Sequence, residues 1–269
     1  MAKPPRAKGA NRANPRNDRN NVGAMPGARN SGRYNNQDRT SNVIELTFPQ
    51  KPKKQRVDII PRNLTQEHLV ASLEDPSKYV TFAVGPAGTG KTLLATLHAI
   101  KCFKAGLVEK IVITRPNVAV DDKDIGYLPG DILKKMTPWM MPVLDVFAEY
   151  YNAAEIQVML EENIIEMVPI AFIRGRTFKN AYILVDEAQG TTPNSLLSIL
   201  TRIGEGSQMV VTGDLAQSDR GADNGLADFL NRFEGSKHID VIKFQRGDVE
   251  RHQAVKEILK IYEDSGYNT

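Results

Sequence analysis

The sequence predicts a three-layer α/β/α fold on a mainly parallel β-sheet, and three observations support this prediction. Short apolar runs rich in β-branched residues, typical of buried parallel strands, recur along the chain. Stretches with apolar residues at helical spacing separate these runs, as crossover connections between parallel strands require. Two of the runs end directly in glycine-rich or acidic residues, and open α/β sheets bind their ligands at such strand ends.

The first of these strand ends is a glycine-rich loop. Residues 85–92 fit the pattern G-x-x-x-x-G-K-[S/T] at every fixed position, between a predicted strand at 79–84 and a predicted helix. In that context the loop N–H groups and the positive end of the helix can surround a polyphosphate. Lys91 is predicted to reach the β- and γ-phosphates, and the Thr92 hydroxyl to ligate Mg²⁺. The predicted nucleotide-binding residues are Gly85, Pro86, Ala87, Gly88, Thr89, Gly90, Lys91 and Thr92.

The second strand end carries two adjacent carboxylates. The apolar run 181–185 leads directly into Asp186 and Glu187. Asp186 is suited to hold Mg²⁺, and Glu187 to orient or deprotonate an attacking water, which favours hydrolysis over transfer to an acceptor. Two charges after an apolar run are also compatible with a solvated strand end. The strand predicted at 209–212 should lie beside this one, with Asp214 and Gln217 as candidate sensors of the γ-phosphate.

Charge divides the chain into two predicted regions. The net charge is +3, but residues 1–56 hold thirteen Lys and Arg against three acidic residues, which leaves the remainder at −7. Residues 1–58 are predicted to be a disordered basic arm with a short strand at 43–48, and residues 59–269 a single domain. Two interpretations of the arm remain open, namely a contact with nucleic-acid phosphates and a solubilising tail.

The composition also indicates in which cellular compartment the protein is expected. No apolar run approaches the length needed to cross a bilayer, and the N-terminus lacks the apolar core of a signal peptide. Cys102 is the only cysteine, which excludes an internal disulfide. We therefore expect a cytoplasmic protein without a membrane segment.

With these motifs assembled, the chain resembles the PhoH-like family of P-loop ATPases over about residues 60–262. The resemblance rests on eight blocks in the family's order, at residues 85–92, 114–116, 126–131, 174–177, 185–189, 200–204, 212–217 and 248–252. It implies a RecA-like ATPase core related to those of helicases, in a bacterial or phage-infected cell, with ATP and Mg²⁺ as ligands and a link to RNA. One departure is the Ser-Asp-Arg-Gly at 218–221, where the family usually continues with Asp-Leu-Pro.

The resemblance also favours Gln66 as a contact for adenine. This residue lies in a predicted helix about 20 residues before the glycine loop, and its amide could donate to and accept from the base edge. Spacing alone leaves open an ordinary exposed helix residue.

A single RecA-like lobe leaves no room for the second lobe that supplies an arginine in two-lobe helicases. We therefore predict a homo-oligomer, specifically a hexameric ring, in which one subunit supplies an arginine to the next. Arg251 is the first candidate and Arg202 the second. Candidate contacts for RNA or single-stranded DNA are Arg115, Arg174 and Arg176.

Two functions from different classes fit these features. The first is an ATPase that couples hydrolysis to remodelling of RNA or single-stranded nucleic acid. The second is a nucleotide-gated module for nucleic-acid binding or assembly that lacks helicase activity. They differ in whether nucleic acid stimulates turnover and in whether a duplex is unwound.

Overall fold

A computed structural model describes residues 53–116 and 129–264. Its centre is a six-stranded sheet in which every strand pair is parallel. The strands are β1 (Val80–Val84), β2 (Lys110–Thr114), β3 (Ile165–Met167), β4 (Ala181–Val185), β5 (Gln208–Gly213) and β6 (Ile239–Lys243). The predicted parallel α/β architecture is confirmed.

The strand order is β3-β2-β4-β5-β1-β6, and it decides which strand ends are neighbours. β5 lies between β1 and β4, with Val84 opposite Gly213 and Val185 opposite Val211. The residues that follow β1, β4 and β5 therefore emerge side by side at one edge of the sheet. The prediction that β5 lies beside β4 is confirmed.

The described part of the chain contains seven α-helices. They are α1 (Leu64–Glu74), α2 (Lys91–Lys104), α3 (Pro129–Phe147), α4 (Ala153–Glu161), α5 (Pro193–Leu200), α6 (Gly225–Arg232) and α7 (Gln253–Asp264). Polar side chains cap several of their starts and satisfy N–H groups that have no partner within the helix. The Asn63 side chain accepts from the backbone N–H of Gln66, and Asn152 with Glu155 forms a reciprocal capping box.

The sheet separates two apolar cores, as its alternating side chains require. In β2, Ile111 and Ile113 enter the core beneath α1 to α4, whereas Val112 enters the core beneath α5 and α6. Phe82 of β1 stacks on Phe229 of α6, with ring centroids 4.2 Å apart. This arrangement gives the predicted three layers.

Three local features add to this architecture. The region with Pro138 and Pro142 forms one helix, α3, which aligns Met136, Met140 and Leu144 in the core. Strand β3 and helix α6 were not predicted. β3 has only three residues, and α6 has eight, so their patterns are too short to stand out.

The boundary of the predicted basic arm falls within residues that pack on the domain. The Lys54 N–H donates to the Glu149 carbonyl at 3.0 Å, and the Lys53 ammonium donates to the Ala148 carbonyl at 2.5 Å. The predicted strand at 43–48 and the first half of the block at 126–131 lie outside the described residues. Across 53–116 and 129–264, we find no helix long and apolar enough to span a bilayer.

The buried imidazole of His98 should make the domain sensitive to acid. It is 5% exposed, and its Nδ1 lies 3.3 Å from the Tyr182 hydroxyl. Burial lowers the pKa of His98 from 6.5 to about 4, so the unfolded chain binds more protons between these two pH values. We expect this residue alone to reduce the free energy of unfolding by about 3 kcal/mol as pH falls through that window.

The measurement is chemical denaturation from pH 7.5 to 4 with the His98→Gln variant. Its stability should depend less on pH than that of the wild type over this window. The exposed His68 provides the matched control, because His68→Gln should leave the dependence of the unfolding free energy on pH unchanged. Equal slopes for wild type and His98→Gln would contradict the prediction.

Candidate functional site

The glycine loop after β1 adopts a conformation that only glycine tolerates at several positions. Gly85, Gly88 and Gly90 have φ of 147°, 82° and 84°. A Cβ on Gly85 would lie 2.4 Å from the Phe244 carbonyl oxygen, so no side chain fits there. The loop then passes directly into α2, whose first residue is Lys91. This is the strand, loop and helix arrangement that the sequence predicted.

The Lys91 side chain folds back over the loop. Its ammonium donates to the carbonyls of Gly85 and Pro86 at 2.6 and 2.7 Å and to the Thr89 hydroxyl at 3.2 Å. Burial lowers the pKa of Lys91, and three nearby carboxylates oppose that effect. The three hydrogen bonds hold the ammonium at the mouth of the loop, where a phosphate would have to meet it.

Two threonine hydroxyls converge on one oxygen of Asp186. Thr92 at the start of α2 donates to Asp186 Oδ1 at 2.7 Å, and Thr212 of β5 donates to the same oxygen at 2.6 Å. The side chain of Asp186 is 6% exposed. Hard oxygen donors of this kind suit Mg²⁺, which in nucleotide sites takes one or two protein ligands and fills its shell with phosphates and water. The residues therefore fit the ion that the sequence predicted.

Glu187 follows Asp186 in an unusual backbone conformation. Its φ of 55° and ψ of 42° place a non-glycine residue in the left-handed region, which costs free energy and is concentrated at functional sites. The carboxylate is 37% exposed. The Arg115 guanidinium lies between the two acids, 3.7 Å from Asp186 Oδ2 and 3.5 Å from Glu187 Oε1.

The loop after β5 closes the far side of the site. Asp214 Oδ2 accepts a hydrogen bond from the Ala87 N–H at 3.0 Å, so this carboxylate occupies part of the glycine loop. The side chain of Gln189 accepts from the Asp214 N–H at 3.0 Å and donates to Glu187 Oε2. The exposed Gln217 lines the same cavity.

These groups surround a cavity of about 240 Å³ at the carboxyl edge of the sheet. Its lining includes the loop residues 87, 88 and 90–92, the carboxylates of Asp186, Glu187 and Asp214, and Gln217. A second cavity of about 340 Å³ adjoins the glycine loop on the α1 side. Its lining includes Ile60, Arg62, Leu93, Leu97 and Tyr150.

The family model for PhoH-like proteins matches residues 58–263. The chain belongs to the PhoH-like family. It is 38% identical over 221 residues to a PhoH-like protein of Bacillus subtilis, a match that covers 81% of this chain and 67% of that protein.

Other PhoH-like relatives are matched over a smaller share of their own length. A PhoH-like protein of Synechocystis is 39% identical over 188 residues, which cover 69% of this chain and 57% of that protein. Protein PhoH of Escherichia coli is 38% identical over 208 residues, or 76% of this chain and 58% of that protein. The matches thus leave large parts of these relatives uncovered.

Among solved structures, the Pif1 helicase of Candida albicans aligns with a TM-score of 0.36 and 14% identity. The alignment covers 77% of this chain and 44% of that chain.

Gln66 has a different environment from the one predicted. It is 4% exposed, its Nε2 donates to the Thr89 carbonyl at 3.0 Å, and its Oε1 accepts from the Arg62 N–H at 2.8 Å. Both ends of the amide thus already contact the protein, and Gln66 braces the glycine loop from behind. A contact of Gln66 with adenine stays a prediction, since one Nε2 proton remains for a ligand.

Arg251 lies against the loop of its own chain. A Cβ on Gly88 would be 2.2 Å from Arg251 Nε, and the adjacent Glu250 N–H donates to the Gly88 carbonyl at 2.9 Å. The segment before α7 folds back onto β1 and its loop, which brings Arg251 to the site of its own chain. Supply of Arg251 to a neighbouring subunit stays a prediction. Arg202 instead lies at the opposite edge of the sheet, where it donates to the Arg176 carbonyl.

The three arginines predicted to contact nucleic acid have separate environments. Arg115 lies inside the site described above, and its Nη1 also donates to the Trp139 carbonyl at 3.0 Å. Arg176 pairs with Glu166 at 2.5 Å and lies 4.7 Å from the centre of the Phe178 ring. Arg174 is exposed. Their contacts with nucleic acid stay predictions.

Sequence reasoning assigned no role to Thr212 or Gln189, although both make hydrogen bonds inside the site. Thr212 is the last residue of the predicted strand 209–212, and Gln189 follows the acidic pair by two positions. Polar residues at the ends of these two strands were the available signal. The sequence predicted that β5 lies beside β4, but it did not indicate which side chains at these strand ends would contact each other.

Proposed function

We propose that this PhoH-like chain binds ATP with Mg²⁺ and hydrolyses it, and that it couples turnover to remodelling of RNA or single-stranded nucleic acid as an oligomer. The observation that carries the hydrolase proposal is the hydrogen bond from Thr92 to Asp186 beside the glycine loop, with Glu187 next in the chain. A phosphate-binding loop, an ion-binding pair and an adjacent general base then share one cavity.

Each residue of this cavity has a chemical task in the proposal. The loop amides and Lys91 bind the phosphates, and Thr92 with Asp186 holds the metal. When bound, Mg²⁺ neutralises charge on the phosphate oxygens. Glu187 orients a water and accepts its proton, and Arg251 offers a cation to the charge that develops on the phosphates.

The cavity of about 340 Å³ on the α1 side is the proposed site for the base. Leu93 and Ile60 are 45% and 75% exposed, so apolar surface stands open beside the loop. A flat base can cover such surface, and the nearby Gln66 and Arg62 supply the polar edge.

Oligomer formation is supported by the surface of α7. Ile258 and Ile261 on this helix are 51% and 66% exposed, and they follow directly after the segment that covers the loop. Apolar side chains at this spacing on one helix are typical of a face that packs against a partner. In a ring, Arg202 would be the arginine available to a neighbour.

Phosphate release from ATP, measured with Mg²⁺ and with EDTA, tests the proposal. Turnover should require Mg²⁺ and should be lost in Lys91→Ala. A purified wild type that neither retains nor cleaves ATP would overturn it. If single-stranded RNA and DNA bind but leave turnover unchanged, the nucleotide-gated binding module replaces the remodelling enzyme.

The basic arm is proposed to supply the sequence-independent part of nucleic-acid binding. Neutralising phosphates releases counterions, so the logarithm of affinity should fall linearly with the logarithm of salt, with a slope of about −0.7 per contact on single strands. Deleting residues 1–52 should flatten this slope and leave nucleotide binding intact. The deletion ends at residue 52 because Lys53 and Lys54 contact the domain.

The measurement is fluorescence anisotropy of labelled single-stranded RNA between 50 and 200 mM salt, a range over which about six contacts change affinity by orders of magnitude. A variant that replaces only Arg174 separates the domain surface from the arm. A slope that survives deletion of residues 1–52 would show that the arm is not the contact.

A further inference from the structure

A continuous set of hydrogen bonds connects the glycine loop to Glu187. The Ala87 N–H donates to the Asp214 carboxylate, the Asp214 N–H donates to Gln189 Oε1, and Gln189 Nε2 donates to Glu187. Gln189 is 6% exposed and Asp214 is 7% exposed, so water competes little for these bonds. The buried side chain of Gln189 thus contacts both Asp214, which binds the glycine loop, and Glu187, which is proposed to activate water.

The packing leaves Gln189 little freedom to lose these contacts by itself. Gly213 lies next to the side chain, and a Cβ on Gly213 would be 3.0 Å from Gln189 Oε1 and 2.5 Å from Leu226. The Gln189 carbonyl also accepts from the Ser218 hydroxyl at 3.2 Å. The residue is therefore held by the strand, by the loop after it and by the acidic turn at the same time.

The Asp214 carboxylate occupies a position that an incoming phosphate needs. Loop amides such as that of Ala87 bind phosphate oxygens in sites of this type, and here that amide already serves an anion. Two anions cannot share one donor in a buried site without strong repulsion. Entry of a polyphosphate must therefore displace the Asp214 side chain.

We propose that Gln189 is a positioning residue that transmits this displacement to Glu187. While Asp214 contacts Ala87, Gln189 holds Glu187 in its strained turn. When phosphates displace Asp214, the loop that carries its N–H shifts, the bond to Gln189 changes, and Gln189 moves Glu187 into its working position. The chain would thus keep its general base restrained until a polyphosphate is bound. This inference rests on the proposed nucleotide site.

The test combines hydrogen exchange with nucleotide binding in the full chain. Peptides covering 185–192 and 212–220 are followed with and without a non-hydrolysable ATP analogue and Mg²⁺. In the wild type, the analogue should change exchange in both peptides. In Gln189→Leu it should still change 212–220 but should change 185–192 less than in the wild type, because only direct contacts at Asp186 and Glu187 remain, with affinity for the analogue within about threefold of wild type.

Kinetics supply a second readout. Gln189→Leu should lower kcat by about 10- to 100-fold at nearly constant KM, the effect expected when one hydrogen bond to a charged group is lost. Ser218→Ala is the matched control, because it removes a bond to the Gln189 carbonyl but leaves the amide relay intact. That control should preserve the response of both peptides.

Gln189→Glu is a second variant for the case that Gln189→Leu does not fold, since the glutamate keeps an acceptor for the Asp214 N–H. It loses the donor to Glu187 and should also uncouple the two peptides. Asp214→Asn removes the competing charge and should bind the analogue about 3- to 10-fold more tightly, since bonds to charged acceptors are about twice as strong as neutral ones.

Three outcomes would overturn the inference. Exchange at 185–192 that responds to the analogue as strongly in both Gln189 variants as in the wild type shows that the relay is not used. A wild-type segment 212–220 that ignores the bound analogue shows that Asp214 is not displaced. Weaker binding by Asp214→Asn shows that the carboxylate does not compete. In each case the analogue still binds, so the proposed function stands, whereas absence of any binding overturns that function as well.

Discussion

Glu187→Gln is expected to lower kcat for ATP hydrolysis by about 10²- to 10⁴-fold, the range that general-base catalysis contributes. The amide keeps the size of the side chain but cannot accept a proton from water. Affinity for ATP should remain close to that of wild type, since Lys91, Thr92 and Asp186 are unchanged. The measurement is a pair of experiments, steady-state phosphate release and equilibrium binding of a fluorescent ATP analogue.

The exposed Glu205 at the opposite edge of the sheet provides the control for this change. Glu205→Gln removes the same charge from the chain and should have wild-type turnover. If both Glu187→Gln and Glu205→Gln hydrolyse ATP at the wild-type rate, another group activates the water, and the role assigned to Glu187 is wrong.

Arg251→Ala is expected to lower kcat by about 10³- to 10⁵-fold, because an arginine beside the transferred phosphate contributes that much whether it comes from the same chain or from another. Its guanidinium packs on Gly88, so nucleotide binding should weaken far less than turnover. Arg232→Ala, at an exposed position on α6, should be active. Turnover and binding are measured as for Glu187.

Mixing variants decides whether Arg251 serves its own site or a neighbour's. Equal amounts of Arg251→Ala and Lys91→Ala are combined under conditions that allow subunits to exchange. The contact with Gly88 of the same chain predicts no recovery of turnover. Recovery would show that intact loops receive Arg251 from adjacent subunits, as the sequence interpretation held. The same mixture made with Arg202→Ala tests the second candidate.

The sequence was most informative where a function is encoded in consecutive residues. The loop 85–92 and the pair Asp186 and Glu187 could be predicted because a phosphate cradle and an acidic strand end need fixed local spacing. Their meeting at one edge of the sheet followed from the parallel arrangement of β1 and β4.

Other parts of the site depend on contacts between distant segments. Thr212 reaches Asp186 only because β5 lies between β1 and β4. Gln66 was predicted to contact adenine, and its hydrogen bond to the Thr89 carbonyl could not be read from the sequence. Arg251 was predicted to act on the phosphates, but the direction of its side chain depends on how the segment before α7 returns to the loop. Short sequence patterns do not indicate which distant segments of the chain will contact each other.

The segment at 244–251 completes the glycine loop, and this has a consequence for how the protein is made. The Phe244 carbonyl lies over Gly85, the Glu250 amide bonds to Gly88, and Asp248 accepts from the Thr65 hydroxyl at 3.1 Å. On the ribosome, residues 85–92 emerge long before these partners are synthesised. A nascent chain therefore carries the loop without its backing, and the proposed nucleotide site is complete only when the closing segment has left the exit tunnel.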